Sequence, residues 1–208
     1  MKTYKRLVIT CLSLLLCSAA SALNLPGGIP GIPGGDKGAG GADINSVFDT
    51  YIASYCGMLA GQASVAGALG LTEEQQKLAG EAERLKKDNG KKVDAAEKID
   101  REAQKKIDEK MAGVDKLDPE KTKLVVEGTA AYAAGTIKLV ELVSQIKNIK
   151  KPGITDVTAL GKFKVVQTLP GYIQNIATVL PNYMKFMNKI GAEPDPSLKQ
   201  GISLLPKL

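Results

Sequence analysis

The chain has 208 residues, 44% of them hydrophobic and 24% charged, with a formal net charge of +6 and no histidine. Without imidazole it lacks the commonest general base, the usual nucleophilic triads and most zinc and haem sites. The length suits one domain with its own core.

Residues 1–22 carry the three parts of a secretory signal in order. "MKTYKR" is basic, "LVITCLSLLLC" is apolar, and Ala20-Ser21-Ala22 fits an A-x-A cleavage site. Cleavage after Ala22 and a periplasmic or extracellular location are expected, and the short signal suits a bacterium. Leu14-Leu15-Leu16-Cys17 is a competing lipoprotein pattern, although Leu16 is larger than the residue such a site wants. Losing Lys2, Lys5 and Arg6 lowers the net charge to +3. A mildly basic chain whose later arginines are only Arg84 and Arg101 has no nucleic-acid footprint.

Residues 23–42 form a Gly/Pro-rich flexible linker. Two Gly-Ile-Pro triplets do not extend into a collagen repeat. Ile29 and Ile32 leave a short partner-binding tail as the other use of this segment.

A single helical domain is expected over 43–191. Ile44, Val47, Phe48, Tyr51, Ile52, Tyr55, Met58, Leu59, Gln62, Ala66 and Leu69 step by threes and fours, and Gly70 can end that helix. Within it, Tyr51–Leu71 has no charge and is about as long as a membrane span. Its Gly, Ala and Ser content makes it only modestly hydrophobic. Small residues recur every four positions, as Ala53, Gly57, Gly61 and as Ala60, Ser64, Ala68. "GTAAYAAG" at 128–135 offers a matching surface in Ala130, Ala131, Ala134 and Gly135. The spacing predicts a soluble core with a close helix crossing at Gly57, Gly61, Ala131 and Gly135. Cys56, the lone cysteine beyond the signal, has no internal disulfide partner and is expected as a small buried hydrophobe. A reactive thiol or an intermolecular disulfide is the alternative.

Thr72 and Gln75 resemble a capping box that opens a charge-dense helical region over 72–116. Its apolar residues, Leu78, Ala82 and Leu85 and then Val93, Ala96, Ala103, Ile107, Met111 and Val114, make a narrow stripe. Asp88-Asn89-Gly90 should divide it into a hairpin. Asp118-Pro119-Glu120 starts a helix that stops before Pro152-Gly153. A last helix from about Asp156 to Gly191 should be kinked or split by Pro170 and Pro181. Residues 192–208 are expected as a tail. The fold class is all-α: an up-and-down bundle of four or five helices with a long charged hairpin.

No cofactor fingerprint or catalytic motif is present, and the glycines of 27–41 lack the G-K-[ST] ending of a phosphate loop. The carboxylates lie mostly in alternating charged stretches, where a solvated face explains them. The expected function is therefore non-enzymatic: an exported helical protein acting through protein partners or self-association. The alternative is a lipid-binding, membrane-active or pore-forming protein. That alternative rests on Lys162, Phe163, Lys164, Tyr172, Tyr183, Lys185, Phe186 and Lys189, which mix cations and aromatics beside an apolar stripe.

Overall fold

A computed structural model describes residues 43–205. The expected signal peptide, the Cys17 lipidation pattern and the linker of 23–42 lie outside these residues. The described chain is all-helical, with no strand. In chain order the helices are α1 (Ile44–Ala68), α2 (Thr72–Lys87), α3 (Val93–Ala112), α4 (Pro119–Ile146), α5 (Val157–Gln167), α6 (Leu169–Ile176), α7 (Val179–Ile190) and α8 (Pro196–Leu204).

Local chemistry explains most of the boundaries. Asp43 caps α1 by accepting from the Ser46 amide at 3.1 Å, and Asp118 caps α4 by accepting from the Lys121 amide at 2.8 Å. Gly70 takes φ +77°, which lets the Leu71 amide reach the Ala66 carbonyl and the Gly70 amide reach Gly67. Asn89, at φ +49°, turns the chain between α2 and α3. The capping box does not form. Leu71 is the N-cap of α2 and makes no side-chain cap bond. The helix starts at Thr72 itself, one residue earlier than a Thr72 cap would allow, while the Gln75 side chain lies against Gly67.

The described residues form eight helices where four or five were expected. Two of the extra helices come from the prolines. Pro170 and Pro181 fall in the first turns of α6 and α7, where an amide has no intrahelical partner to lose. Each proline therefore starts a new helix at a bend, at Thr168 and Thr178. The third is α8, which replaces the expected tail. Asp195 caps it, Pro196 follows, and Leu198 is fully buried. Asp195-Pro196 repeats the start signal of Asp118-Pro119, and Leu198, Gly201, Ile202 and Leu205 hold helical spacing.

Helix α1 packs most extensively against α4. The pair is antiparallel: Gly61 meets Gly128, while Ser54 and Met58 meet Gly135. Helices α2, α3 and α5 also lie on α1, and α6, α7 and α8 lie on α4. A methyl group on Gly61 would sit 2.5 Å from the Gly128 carbonyl oxygen and 3.1 Å from Ala131 Cβ. One on Gly128 would sit 2.6 Å from the Gly61 carbonyl oxygen. Gly61, Ala131 and Gly135 thus belong to the crossing, which also includes Gly128. Gly57 does not, because a methyl group there would touch nothing within 4 Å. Four residues overshoot one turn by about 40°, so a strict four-residue row rotates away from its partner. The actual seam, Ser54–Met58–Gly61–Val65, alternates fours and threes and stays on one face.

These two glycines should respond oppositely. Gly61→Ala is expected to destabilise by about 2 kcal/mol or more, because the backbones must part. Gly57→Ala should stabilise by about 0.5–1 kcal/mol, the ordinary gain of Ala over Gly inside a helix. Urea unfolding of the two variants checks both signs.

Candidate functional site

Helix α3 turns one polar row toward the core. Asp100, Gln104 and Asp108 are spaced by four, and Asp100 is only 2% exposed. Each is held by side chains from other helices. Tyr172 on α6 donates its hydroxyl to Asp100 Oδ2 at 2.6 Å. Gln62 on α1 donates to Gln104 Oε1 at 2.8 Å and to the Asp100 carbonyl at 3.4 Å. Tyr183 on α7 donates to the same Gln104 oxygen at 2.9 Å. Gln104 in turn donates to Asp108 Oδ1 at 2.9 Å, and Asn182 to Asp108 Oδ2 at 3.4 Å.

The tyrosines of the described residues, Tyr51, Tyr55, Tyr132, Tyr172 and Tyr183, are all buried around this row. Tyr51 stacks on Tyr55 at 6.1 Å, and Tyr55 meets Tyr172 edge-on at 5.4 Å. Tyr132 meets Tyr183 edge-on at 5.5 Å. Burial, with the nearby carboxyls adding to it, pushes these phenols above their ordinary range, so they remain neutral donors. Among the described residues, three buried polar atoms here have no partner: the Tyr55 and Tyr132 hydroxyls and Gln62 Oε1.

Beside the row the structure opens a cleft of about 310 Å³. One wall is α3, the other is the α6–α7 bend, and Tyr132 of α4 lies between them. Asp100, Gln104, Asp108 and Tyr132 line it from within; Asn175, Ile176, Thr178 and Val179 face them from the bend. Arg101, Lys105 and Glu109, one position further round α3, are exposed. The volume is at the lower end of the range for ligand sites.

Comparison of the chain with protein-family models, with curated proteins and with solved structures finds no match in any of the three.

Burial pushes the Asp100 carboxyl up to about 6, against an ordinary 3.8, and the Tyr172 hydrogen bond restrains the rise. Glu97 and Asp108 are raised by burial as well. The cleft is thus bordered by reluctant carboxyls and by amides. Among the described residues no cluster of three or more metal-binding side chains exists. The arrangement supplies negative charge and directed hydrogen bonds.

The residues expected to form a membrane or lipid surface do not come together as one. Phe163, Tyr172, Tyr183 and Phe186 are buried in the core, while Lys164 and Lys185 are exposed. Lys162 bonds Asn45 at 2.8 Å and stands 5.3 Å from the centre of the Phe48 ring, so it ties α5 to α1. Lys189 pairs with Asp115 at 2.8 Å. The aromatic side of this segment supplies packing, and the lysines fall on its other sides. Cys56 is buried, its thiol directed at the Ala82 carbonyl at 3.4 Å, and burial raises its pKa. No helix of the described residues is long and apolar enough to cross a membrane.

The polar row had a signal in the sequence. Asp100 and Gln104 fall on the same helical stripe as Ala96, Ala103, Ile107 and Met111. A carboxylate and an amide where the stripe calls for apolar residues mark a buried polar pair.

Asp100 should leave a mark on stability. An acid whose folded pKa lies above its unfolded value holds its proton more tightly when folded. Its contribution is fully present below about pH 4 and is lost as pH rises through about 6. The difference is about 3 kcal/mol. Asp100→Asn keeps an acceptor for Tyr172 and removes the charge, so the variant should gain on the parent between pH 4 and 7. Denaturation midpoints across that interval measure the gap; parallel curves would mean that Asp100 titrates as an ordinary carboxyl.

Proposed function

We propose that this is an exported, non-enzymatic helical protein of the bacterial envelope or exterior that works by binding a partner. The cleft between α3 and the α6–α7 bend is where it holds a group of that partner. Export is supported by the ordered n-region, h-region and A-x-A site of residues 1–22. Binding is supported by one observation above the rest: a fixed row of carboxyl and amide groups on α3 borders a cleft of about 310 Å³. Binding without chemistry is supported by the absence of histidine and by the use of both Asp108 oxygens and one Asp100 oxygen in internal hydrogen bonds.

The charged outer faces of α2 and α3 are less suited to partner recognition than the cleft. Their ions pair with one another, as Lys77 with Glu73 at 2.5 Å and Lys86 with Glu83 at 2.9 Å. Exposed pairs of this kind contribute little to stability and keep a surface wet. Native mass spectrometry of the mature protein recovered from its host should show a retained partner or small molecule. Asp108→Asn should reduce the retained fraction, whereas a bare monomer throughout would sink the proposal.

A second reading has its own observation. Among the described residues, Ile154 in the segment joining α4 to α5 is 86% exposed, and Val157, the first residue of α5, is 76% exposed. Exposed Lys147, Lys150 and Lys151 precede them. Apolar tips next to lysines suit the surface of an anionic membrane. This segment, rather than the C-terminal helices, is the place for the lipid alternative. Flotation with vesicles rich in phosphatidylglycerol at low salt should carry the protein, and Ile154→Ser with Val157→Ser should abolish flotation. A parent protein that stays in the pellet removes this reading.

A further inference from the structure

We infer that Asn89–Gly90, in the turn between α2 and α3, is a deamidation site that the fold holds shut. The bond pair reacts when the turn opens, and the chain is then marked irreversibly. While the turn is closed, the reaction is blocked at its first step. Among the chain's asparagines only Asn89 precedes a glycine. The inference is independent of the binding function proposed above.

The chemistry follows from that pair. The main-chain nitrogen of Gly90, on losing its proton, attacks Cγ of the Asn89 carboxamide. The new N–Cγ bond closes a cyclic imide, the Cγ–Nδ2 bond breaks, and Nδ2 leaves as ammonia with the proton. Water then adds to either imide carbonyl. Breaking the N–Cγ bond restores the normal chain with an aspartate at position 89. Breaking the bond from nitrogen to the main-chain carbon instead leaves isoaspartate, with one more carbon in the backbone. Water is the only co-reactant. Glycine on the C-terminal side favours closure, because it has no Cβ to shield its nitrogen or to restrict the rotation that brings nitrogen and Cγ together.

The fold withholds the attacking nitrogen. Gly90 N–H donates to the Leu85 carbonyl at 2.9 Å and Asn89 N–H to the Lys86 carbonyl at 3.5 Å, the paired bonds that close the end of α2. Asn89 at φ +49° and Gly90 at φ +74° hold the turn in the left-handed region. An imide nitrogen carries no hydrogen, so the bond to Leu85 has to break before the ring can form. Gly90 is also buried. A methyl group on it would lie 2.5 Å from Ile52 Cδ1 and 2.8 Å from Phe48 Cζ, so α1 leaves this backbone little room to swing. On the far side Arg84 donates to the Lys91 carbonyl at 2.7 Å and to the Lys92 carbonyl at 3.3 Å. Arg84 is itself fixed by Glu81, with Nε 3.0 Å from both carboxylate oxygens. The chain is thus held on both sides of the reactive pair. Asn89 itself is exposed, so water reaches its carboxamide, and only the nucleophile is out of reach.

The test is peptide mapping by mass spectrometry after incubation at mildly alkaline pH. The full mature chain is compared folded and in denaturing urea, beside the peptide Lys-Lys-Asp-Asn-Gly-Lys-Lys. The exchange of NH2 for OH is read at position 89, and chromatography separates the aspartate and isoaspartate forms. The peptide and the denatured chain should react at similar rates. The folded chain should react at least about tenfold more slowly, since one hydrogen bond must open first. Hydrogen exchange of the Gly90 amide gives an independent scale. Exchange and deamidation both begin by removing the same proton from the open turn, so folding should suppress both by the same factor. Arg84→Ala combined with Glu81→Gln frees the far side without stranding a carboxylate, and it should keep the parent's helical circular dichroism while deamidating faster. A folded chain that reacts as fast as the peptide overturns the inference, as does a denatured chain that keeps its Asn89 amide. Suppression of deamidation that does not track Gly90 exchange also overturns it, and that comparison needs only the parent protein.

Discussion

Gly61 and Gly128 bring the carbonyl oxygen of each central helix against the Cα of the other. With any side chain at either position α1 and α4 would stand further apart, and the packing of the remaining helices would shift with them. The contact explains how so many large residues fit so few layers. Tyr51, Tyr55 and Met58 on α1 and Tyr132 on α4 fill the space flanking the point of closest approach. Interiors pack to crystal-like density, so glycine at the crossing and tyrosine beside it are two parts of one solution.

The same approach sets the reach of the polar row. Gln62 lies one residue from Gly61 on α1 and spans to both Asp100 and Gln104 on α3. Tyr172 and Tyr183 reach that row from α6 and α7. Four helices are thus tied through three residues of α3, in a region where each polar group must find a partner or remain costly. The network fixes the relative rotation of these helices in a way that apolar contacts alone would not. It also has a deficit, because Tyr55, Tyr132 and Gln62 keep unpartnered atoms.

Pro181 connects local sequence to the cleft. A continuous helix from 169 to 190 would present one face to α3 along its length. The bend at Thr178 instead places Asn175, Ile176, Thr178 and Val179 around a concavity. An element boundary set by a missing amide proton thereby shapes the wall of the candidate site.

Much of the helical order was legible in advance. Asp43, Asp118, Asn89, Gly70, Pro170, Pro181 and Gly191 act within a turn or two of themselves, through caps, positive φ angles or missing donors, and such effects depend on neighbours in sequence. Asp195-Pro196 belonged to the same class, and the last helix was legible on the same grounds. The crossing was only half legible. Small residues in α1 and α4 announced a close approach, but which of them touch depends on how each helix is rotated about its axis. That rotation favours Gly61 and Gly128 over Gly57. The polar cleft was decided by tertiary structure. Asp100, Tyr172, Tyr183 and Gln62 come from four helices between 38 and 79 residues apart where they bond, and no local pattern specifies that they meet. By itself the sequence determined where helices start and stop and which stripes are apolar, because those are short-range matters of backbone geometry and periodicity. Only the packed structure decided that a charged-looking helix turns Asp100 and Gln104 inward onto partners from other helices, because burial and partnership belong to the assembled helices.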